Sequence, residues 1–132
     1  MVYLLENIET GQPTLRNNAD VLALLKGIDS PVIVCGHTHI PRTVMLSTGQ
    51  IVINTGSVGY PAYKDDLPIV HKMQTYSPHA SYALIKCVEN KKGKQWQTEH
   101  IRVPYDYEAA AKLALANGRE DWAFTLKTGR VL

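Results

Sequence analysis

Two histidines one residue apart, His37 and His39, have the side-chain type and spacing of metal ligands. They lie in the segment CGHTHIPR (residues 35–42), directly after the apolar run Pro31-Val32-Ile33-Val34. An apolar run without polar alternation is typical of a strand that is covered on both faces. In open α/β structures ligands bind beyond the carboxyl ends of the strands. The position of the pair therefore predicts a site for a divalent metal, for which imidazole is a common ligand.

The neighbours of the two histidines favour this interpretation. Gly36 would allow a sharp turn and a close approach of the backbone. Thr38 could direct the two rings apart, so that they serve two adjacent ions. The alternative is a pair of ordinary loop histidines. The preceding strand and the later glycine-rich turn Gly56-Ser57-Val58-Gly59 favour the metal site over that alternative.

Four further side chains could take part in chemistry. Arg42 could contact a phosphate group as a charged fork, or lie on the surface at the start of a strand. His79, and less so His71, could bind a substrate phosphate from the long segment that contains them. Ser57 is interpreted as a turn residue beside the metal loop, because a lone Gly-Ser-x-Gly lacks the flanks of a nucleophile or a phosphate loop.

Several other conspicuous residues have structural interpretations. Asp65 and Asp66 are expected at a solvated loop tip. Cys35 and Cys87 lie in apolar strand-like runs and are expected to be buried and structural, with a metal or redox role as the alternative. His100 is expected to be half exposed. Core anchors are predicted at Tyr82, Trp96, Tyr107 and Trp122.

The patterns along the chain predict a mixed α/β fold in a single domain. Helices are expected at 19–27 behind Asn17 and Asn18, at 107–118, and at about 120–127. Strands are expected at 31–35, in a hairpin of 43–47 with 50–54, and in a hairpin of 80–88 with 95–103. Residues 60–78 show no periodicity and are predicted to form a long functional loop.

The composition of the chain bears on which classes of function are plausible for it. The 132 residues are 45% apolar and 20% charged, and the formal net charge is +2. This balance gives no sign of nucleic-acid binding. The sequence shows neither a secretory signal nor an apolar stretch long enough for a membrane span, so the expected location is the cytoplasm.

The ordered motifs resemble one known family. CGHTHIPR resembles the closing Gly-His-x-His motif of the calcineurin-like metallophosphoesterases. INTGSVGYP is similar to the Asn-Pro-Gly-Ser-Val-Gly segment of the small bacterial members, with Thr55 where proline is more usual. The similarity continues through YPAYKDD, TYSPHASYAL and VPYDYEAAAKLALANGREDW, so it covers nearly all of the chain.

The resemblance implies a four-layer α/β/β/α sandwich that binds two divalent ions, commonly manganese, iron, zinc or nickel, and hydrolyses phosphate esters. It assigns His37 to one ion and His39 to the other, and it places Gly36, Thr38, Asn54, Gly56 and Ser57 in the loops of the site. The other ligands of the family come from upstream motifs, namely Asp-x-His, Gly-Asp, Gly-Asn-His-Asp/Glu and a further histidine. None of these motifs occurs upstream of the pair, and residues 1–30 contain no histidine.

The chain is therefore expected to be the C-terminal part of a metallophosphoesterase domain and inactive alone. The strand at 31–35 would then expose an apolar face and an unpaired edge. A homodimer, or the missing N-terminal half, is expected to cover them. The alternative function is a non-catalytic dimeric remnant with a weak metal or phosphate site, in which His37 and His39 of two copies could surround one ion.

Overall fold

The computed structural model of the chain describes residues 3–132. In these residues the chain has a mixed α/β fold of nine strands and three helices. The strands are β1 Glu6–Asn7, β2 Thr14–Leu15, β3 Val32–Cys35, β4 Arg42–Met45, β5 Ile51–Asn54, β6 Ala62–Asp65, β7 His71–Gln74, β8 Ala80–Asn90 and β9 Gly93–Val103. The helices are α1 Asn18–Leu24, α2 Tyr107–Ala116 and α3 Glu120–Thr128. The predicted α/β class is confirmed.

The sheet that carries the histidine pair has the strand order β3-β5-β4. β5 is its central strand, parallel to β3 and antiparallel to β4. All four residues of β5 are buried, which agrees with their unbroken apolar run from Ile51 to Ile53. The predicted hairpin is confirmed, and Gly49 in its turn has a φ of 85°.

Helix α1 covers one face of this sheet. The side chain of Asn17 accepts a hydrogen bond from the Asp20 amide and so caps the helix, as its position in the sequence predicts. Val21 and Leu25 of the helix segment pack with Leu5, and the cluster also contains Leu46 and Val52. Burial of this cluster fixes the sheet from one side.

Strand β3 lies at the open edge of its sheet. The side chain of Val34 is 57% exposed, so this strand is not covered on both faces within the described chain. An apolar edge strand of this kind is a template for further pairing.

The segment 60–78 is not a loop, and that prediction was wrong. It forms the antiparallel hairpin of β6 and β7. Its inward side chains Ala62, His71 and Met73 are buried, and Met73 packs against Tyr3 and Ile8. The sequence signal is weak because the strands have only four residues each. In β7 the inward position 71 is a polar histidine, so apolar and polar residues do not alternate clearly along the strand.

The hairpin of β8 and β9 is confirmed and is longer than predicted, because the strands pair over eleven residues each. It packs mainly on itself, which leaves Cys87 exposed and Tyr82 42% exposed. The predictions of a buried Cys87 and of a core Tyr82 were therefore wrong. His100 of β9 is half-buried and makes a 2.8 Å hydrogen bond between Nε2 and Thr43 Oγ1 of β4.

The last two helices pack on each other through Ala111, Ala123 and Leu126. Trp122 is 41% exposed, so it is a surface residue of α3 and not a core anchor. None of the helices in residues 3–132 is both long and apolar enough to cross a lipid bilayer.

Gly118 and Gly129 provide a matched test of how closely the end of α3 packs against Ser77. Both have left-handed backbones, with φ of 72° and 63°. A Cβ at Gly118 would meet nothing within 4 Å, whereas one at Gly129 would lie 2.6 Å from the Ser77 carbonyl oxygen. We expect Gly118→Ala to cost roughly 1–2 kcal/mol from the backbone alone. Gly129→Ala should cost at least about 1–3 kcal/mol more, because it overpacks against main-chain atoms. Urea unfolding measures both, and equal losses would contradict the contact.

Candidate metal-binding loop

His37 and His39 follow the C-terminal end of β3, where the sequence predicts them. Both have left-handed backbones, with φ of 73° and 61°. Residues other than glycine rarely adopt this conformation, which costs roughly 1–2 kcal/mol each. A Cβ on Gly36 would meet nothing within 4 Å. The sharp turns therefore lie at the histidines themselves and not at Gly36.

The buried side chain of Asn54 holds this loop. Its Nδ2 donates to Thr38 Oγ1 at 2.8 Å and to the Gly36 carbonyl at 3.3 Å, and its Oδ1 accepts from the Gly56 amide at 3.0 Å. Asn54 and Thr38 are 0% and 1% exposed. Cys35 and Asn54 are partners at the ends of the parallel strands, so the two following loops begin side by side. Thr38 thus anchors the loop between the two imidazoles.

The orientation of the His39 ring is set by a main-chain carbonyl. Its Nδ1 lies 2.7 Å from the carbonyl oxygen of Tyr60. A carbonyl oxygen only accepts hydrogen bonds, so Nδ1 carries the proton. In the neutral ring the lone pair is then on Nε2. Metal-binding histidines are oriented in this way, with the second nitrogen donating to a carbonyl or carboxylate.

Ser57 supports the same arrangement. Its Oγ accepts from the Tyr60 amide at 3.0 Å, and its carbonyl accepts from the Ser81 amide at 2.9 Å. Gly56 is tightly packed as well, since a Cβ there would lie 2.7 Å from the Ser81 side chain. The hydrogen bonds of Ser57 are those of a turn residue, in agreement with its interpretation. They fix the segment whose carbonyl holds His39.

The exposed His37 ring stacks on Tyr3, with ring centroids 4.9 Å apart and an interplanar angle of 17°. The Tyr3 hydroxyl lies 2.9 Å from Nε2 of His71, and Nδ1 of His71 donates to the Ile69 carbonyl at 2.7 Å. His71 is 1% exposed. It supports Tyr3 from inside the fold and is not placed to meet a substrate.

Tyr63 contacts both imidazoles. Its ring centroid is 5.2 Å from that of His39 and 6.3 Å from that of His37, and its hydroxyl donates to the His37 carbonyl at 2.9 Å. Burial, with a smaller effect of the nearby Tyr3, raises the pKa of Tyr63 far above its ordinary value. The hydroxyl therefore keeps its proton and remains a donor.

A cavity of about 300 Å³ adjoins His39 through two of its contacts, Tyr60 and Tyr63. Trp122 of α3 forms another wall, with its ring centroid 5.0 Å from that of Tyr60. The guanidinium of Arg119 lies 4.6 Å from the Trp122 ring centroid. Two residues of this wall, Tyr60 and Tyr63, contact the ring of His39, whose Nε2 carries the lone pair in the neutral form.

Arg42 and Glu6 form a pair that the sequence does not reveal. Nε of Arg42 lies 3.6 Å from Oε1 of Glu6, and Glu6 is 1% exposed. Burial raises the pKa of Glu6 above its ordinary value, and Arg42 offsets part of that rise. Arg42 is therefore directed on one side toward a buried carboxyl and is not a freely available phosphate ligand. Glu6 lies in the short segment LLENI, which carries no recognisable signal.

His79, Asp65 and Asp66 form their hydrogen bonds, ring contacts and ion pairs with residues other than His37 and His39. The His79 ring centroid is 6.3 Å from that of Tyr107, and the His79 amide donates to Ser77 Oγ. Its ring packs at the start of α2. Asp65, the last residue of β6, accepts a hydrogen bond from the Leu67 amide through Oδ1, and the exposed Asp66 lies 3.9 Å from Lys64, as expected at a solvated loop tip.

Two imidazoles do not complete a metal site. Within residues 3–132 no group of three His, Cys, Asp or Glu side chains is arranged to hold an ion. Catalytic zinc sites use three protein ligands and structural sites four. His37 and His39 alone therefore fall short of either number of ligands.

The comparisons with known proteins do not supply a family. No family model matches the chain, and no curated protein matches it.

The role of Asn54 can be tested by truncation. Asn54→Ala removes three hydrogen bonds in a buried position, so we expect a loss of roughly 2–4 kcal/mol in the free energy of unfolding. The imidazole NMR signals of His37 and His39 should also shift. Asn18→Ala is the control, since it removes two exposed hydrogen bonds to Ser47. Unchanged histidine signals in a folded Asn54→Ala variant would contradict the clamp.

The two cysteines should differ sharply in reactivity. Burial, with a smaller contribution from Glu6, raises the pKa of Cys35 to about 11, whereas Cys87 is exposed. The thiolate is the reactive form, so at pH 8 only about a thousandth of Cys35 is reactive. Iodoacetamide should label Cys87 first, and the Cys35 rate should rise about tenfold per pH unit up to its pKa. Mass spectrometry of Cys87→Ser isolates the slow site, and equally fast labelling of both thiols near neutral pH would contradict this burial.

Proposed function

We propose that this chain is the C-terminal part of a metal-dependent phosphoesterase of the calcineurin-like type, which hydrolyses phosphate mono- or diesters. The observation that carries the proposal is the 2.7 Å contact of His39 Nδ1 with the Tyr60 carbonyl. It leaves Nε2 of a strained, clamped histidine available to a metal. Strained backbone of this kind is found preferentially at functional sites.

The architecture supports the four-layer sandwich as part of this proposal. The sheet of β3, β5 and β4 and the ribbon of β8 and β9 would belong to its two inner layers, connected here by the bond between Thr43 and His100. Helix α1 would lie in one outer layer, with α2 and α3 in the other. The exposed Val34 lies where further strands would extend the sheet.

Completion of the centre requires ligands from outside the described residues. His37 would bind one ion and His39 the other, with manganese, iron, zinc and nickel as the candidate metals. When bound, such a pair of ions supplies Lewis-acid activation of water and of the phosphoryl oxygens. The proposed part of this chain is to hold the two imidazoles in fixed orientations.

Each contact of the two histidines has a defined effect in that role. The Tyr60 carbonyl accepts the Nδ1 proton of His39, so that in the neutral ring the lone pair lies on Nε2. The Tyr63 hydroxyl holds the His37 main chain, and Tyr3 holds the His37 ring by stacking. The cavity beside His39, which has both aromatic and charged side chains in its wall, would receive the organic part of the ester.

A second function is favoured by the apolar surface. Val34 on the open edge of β3 is 57% exposed, and Leu84 and Ile85 on β8 are 50% and 37% exposed. These side chains would be covered in a homodimer that has lost catalysis and retains a weak metal or phosphate site. The histidine pairs of two copies could then surround one ion.

Metal titration of histidine variants tests whether an ion binds at His37 and His39 and not at another histidine. We expect Ni²⁺ to bind weakly, because only two ligands are present, and His39→Ala to weaken binding by at least about tenfold. His79→Ala is the matched control and should leave binding unchanged, because its ring packs beside Tyr107. Isothermal titration calorimetry measures all three proteins, and equal losses in both variants would remove the proposed site.

Activity distinguishes the two functions. The chain alone is expected to show no manganese-dependent hydrolysis of an aryl phosphodiester above the His39→Ala variant. Hydrolysis that requires His39 and rises steeply with protein concentration would mean that a dimer rebuilds the centre. The coding DNA upstream of Met1 provides the complementary test, since the enzyme requires Asp-x-His and Gly-Asn-His-Asp there in some reading frame. Absence of both would leave the non-catalytic dimer.

A further inference from the structure

We propose that a second cavity binds a small ligand that carries two or more phosphate groups. The cavity has a volume of about 320 Å³ and is lined by Arg42, Lys72 and Arg102. This inference does not depend on the proposed phosphoesterase function, because Arg42, Lys72 and Arg102 form no hydrogen bond or ion pair with His37 or His39 in the described residues.

The three cations reach the cavity from different parts of the fold. Arg42 begins β4, Lys72 lies in β7 and Arg102 lies near the end of β9, and these strands belong to three separate sheets. Their convergence is therefore a result of tertiary packing and not of a local run of charge. Like charges that face one cavity repel each other, and a bound anion removes that cost.

The wall of the cavity carries three cationic side chains and no aspartate or glutamate. Within residues 3–132, Lys72 and Arg102 have no carboxylate side chain within 4 Å, whereas Arg42 pairs through Nε with Glu6. Lys72 Nζ donates a hydrogen bond of 3.2 Å to the main-chain oxygen of Leu132, the last residue, which belongs to the C-terminal carboxylate. Arg102 thus has no acidic partner in the described residues, whereas Arg42 and Lys72 are each held by one.

Gln74 and Tyr76, which also line the cavity, are fixed before any ligand arrives. Tyr76 has a left-handed backbone with a φ of 57°, and its amide donates to the Gly129 carbonyl at 2.9 Å. Gln74 donates to the Tyr76 hydroxyl through Nε2 and accepts from the Val131 amide through Oε1. The guanidinium of Arg130 lies 5.3 Å from the Tyr76 ring centroid and adds a fourth cation near the cavity. A preformed polar wall reduces the ordering cost of binding.

The size and charge of the cavity select the ligand class. Its volume falls at the lower end of the range of roughly 300–1,000 Å³ for small-molecule sites. Arginine forks match the geometry of phosphate oxygens. A ligand with several anionic oxygens can face all the cations at once, whereas a single carboxylate cannot. Charge over the whole chain is nearly balanced, with 14 basic and 12 acidic residues, so no extended nucleic-acid surface is implied.

Pyrophosphate is the probe for this cavity. Isothermal titration calorimetry should show binding that is at least about tenfold tighter than that of orthophosphate and weaker as sodium chloride rises from about 50 mM to about 300 mM. Arg102→Gln and Lys72→Gln should each weaken it by about five- to twentyfold, as expected for loss of a charged hydrogen bond. Lys86→Gln, an exposed charge on β8 that does not line the cavity, is the control and should have no effect.

Three results would overturn the proposal. The first is no heat of binding at millimolar pyrophosphate with folded protein. The second is an equal loss of affinity in Lys86→Gln, which would show nonspecific charge attraction. The third is tighter binding of a duplex DNA of about 12 base pairs than of pyrophosphate, which would indicate an extended basic surface. Each of these results leaves the metal-binding prediction for His39 untouched.

Discussion

The hydrogen bonds of the buried Asn54 side chain connect the loops that follow β3 and β5, and the candidate site depends on this connection. Both amide donors and the carbonyl oxygen of Asn54 are engaged. A buried polar group left without a partner costs roughly 1–3 kcal/mol, so alternative loop arrangements are disfavoured. That energy is of the same order as the strain of a left-handed histidine. The clamp can therefore hold His37 and His39 in conformations that they would not adopt alone.

The groups that contact the two imidazoles directly are uncharged. His39 donates to a main-chain carbonyl, and His37 stacks on Tyr3, which is itself bonded to His71. In the described part of the chain neither imidazole pairs with a carboxylate side chain. The site thus orients the imidazoles without a carboxylate paired to either ring, although Asp65 is close enough to His37 to interact with it electrostatically. A pair of divalent ions would require further carboxylate ligands from elsewhere, which is the physical basis for proposing an incomplete centre.

The sequence allows the local elements to be predicted better than the contacts between them. The cap at Asn17, the turn at Gly49 and the long β8–β9 hairpin have strong local signals, and each is confirmed. The β6–β7 hairpin was missed because its inward face includes a histidine whose partner, Tyr3, is 68 residues away.

In the candidate site, too, the positions in the chain could be predicted from neighbouring residues, whereas the tertiary contacts could not. The position of the histidine pair after a strand follows from its neighbours in sequence. The hydrogen bond from His39 to Tyr60 and the pairing of Arg42 with Glu6 depend on tertiary packing over 21 and 36 residues of chain. No local pattern marks such partners. The buried positions of Thr38 and Asn54 likewise follow from the parallel register of β3 and β5.

The central claim is that the fold presents Nε2 of His39 to a metal ion. A long-range ¹H–¹⁵N correlation spectrum of the imidazoles near neutral pH, with His39 assigned through His39→Gln, tests it most directly. The neutral His39 ring should carry its proton on Nδ1, and added Zn²⁺ should shift the Nε2 signal of His39 and the signals of His37 before those of His79 and His100. A proton on Nε2 of His39, or zinc that perturbs His79 or His100 first, would contradict the account.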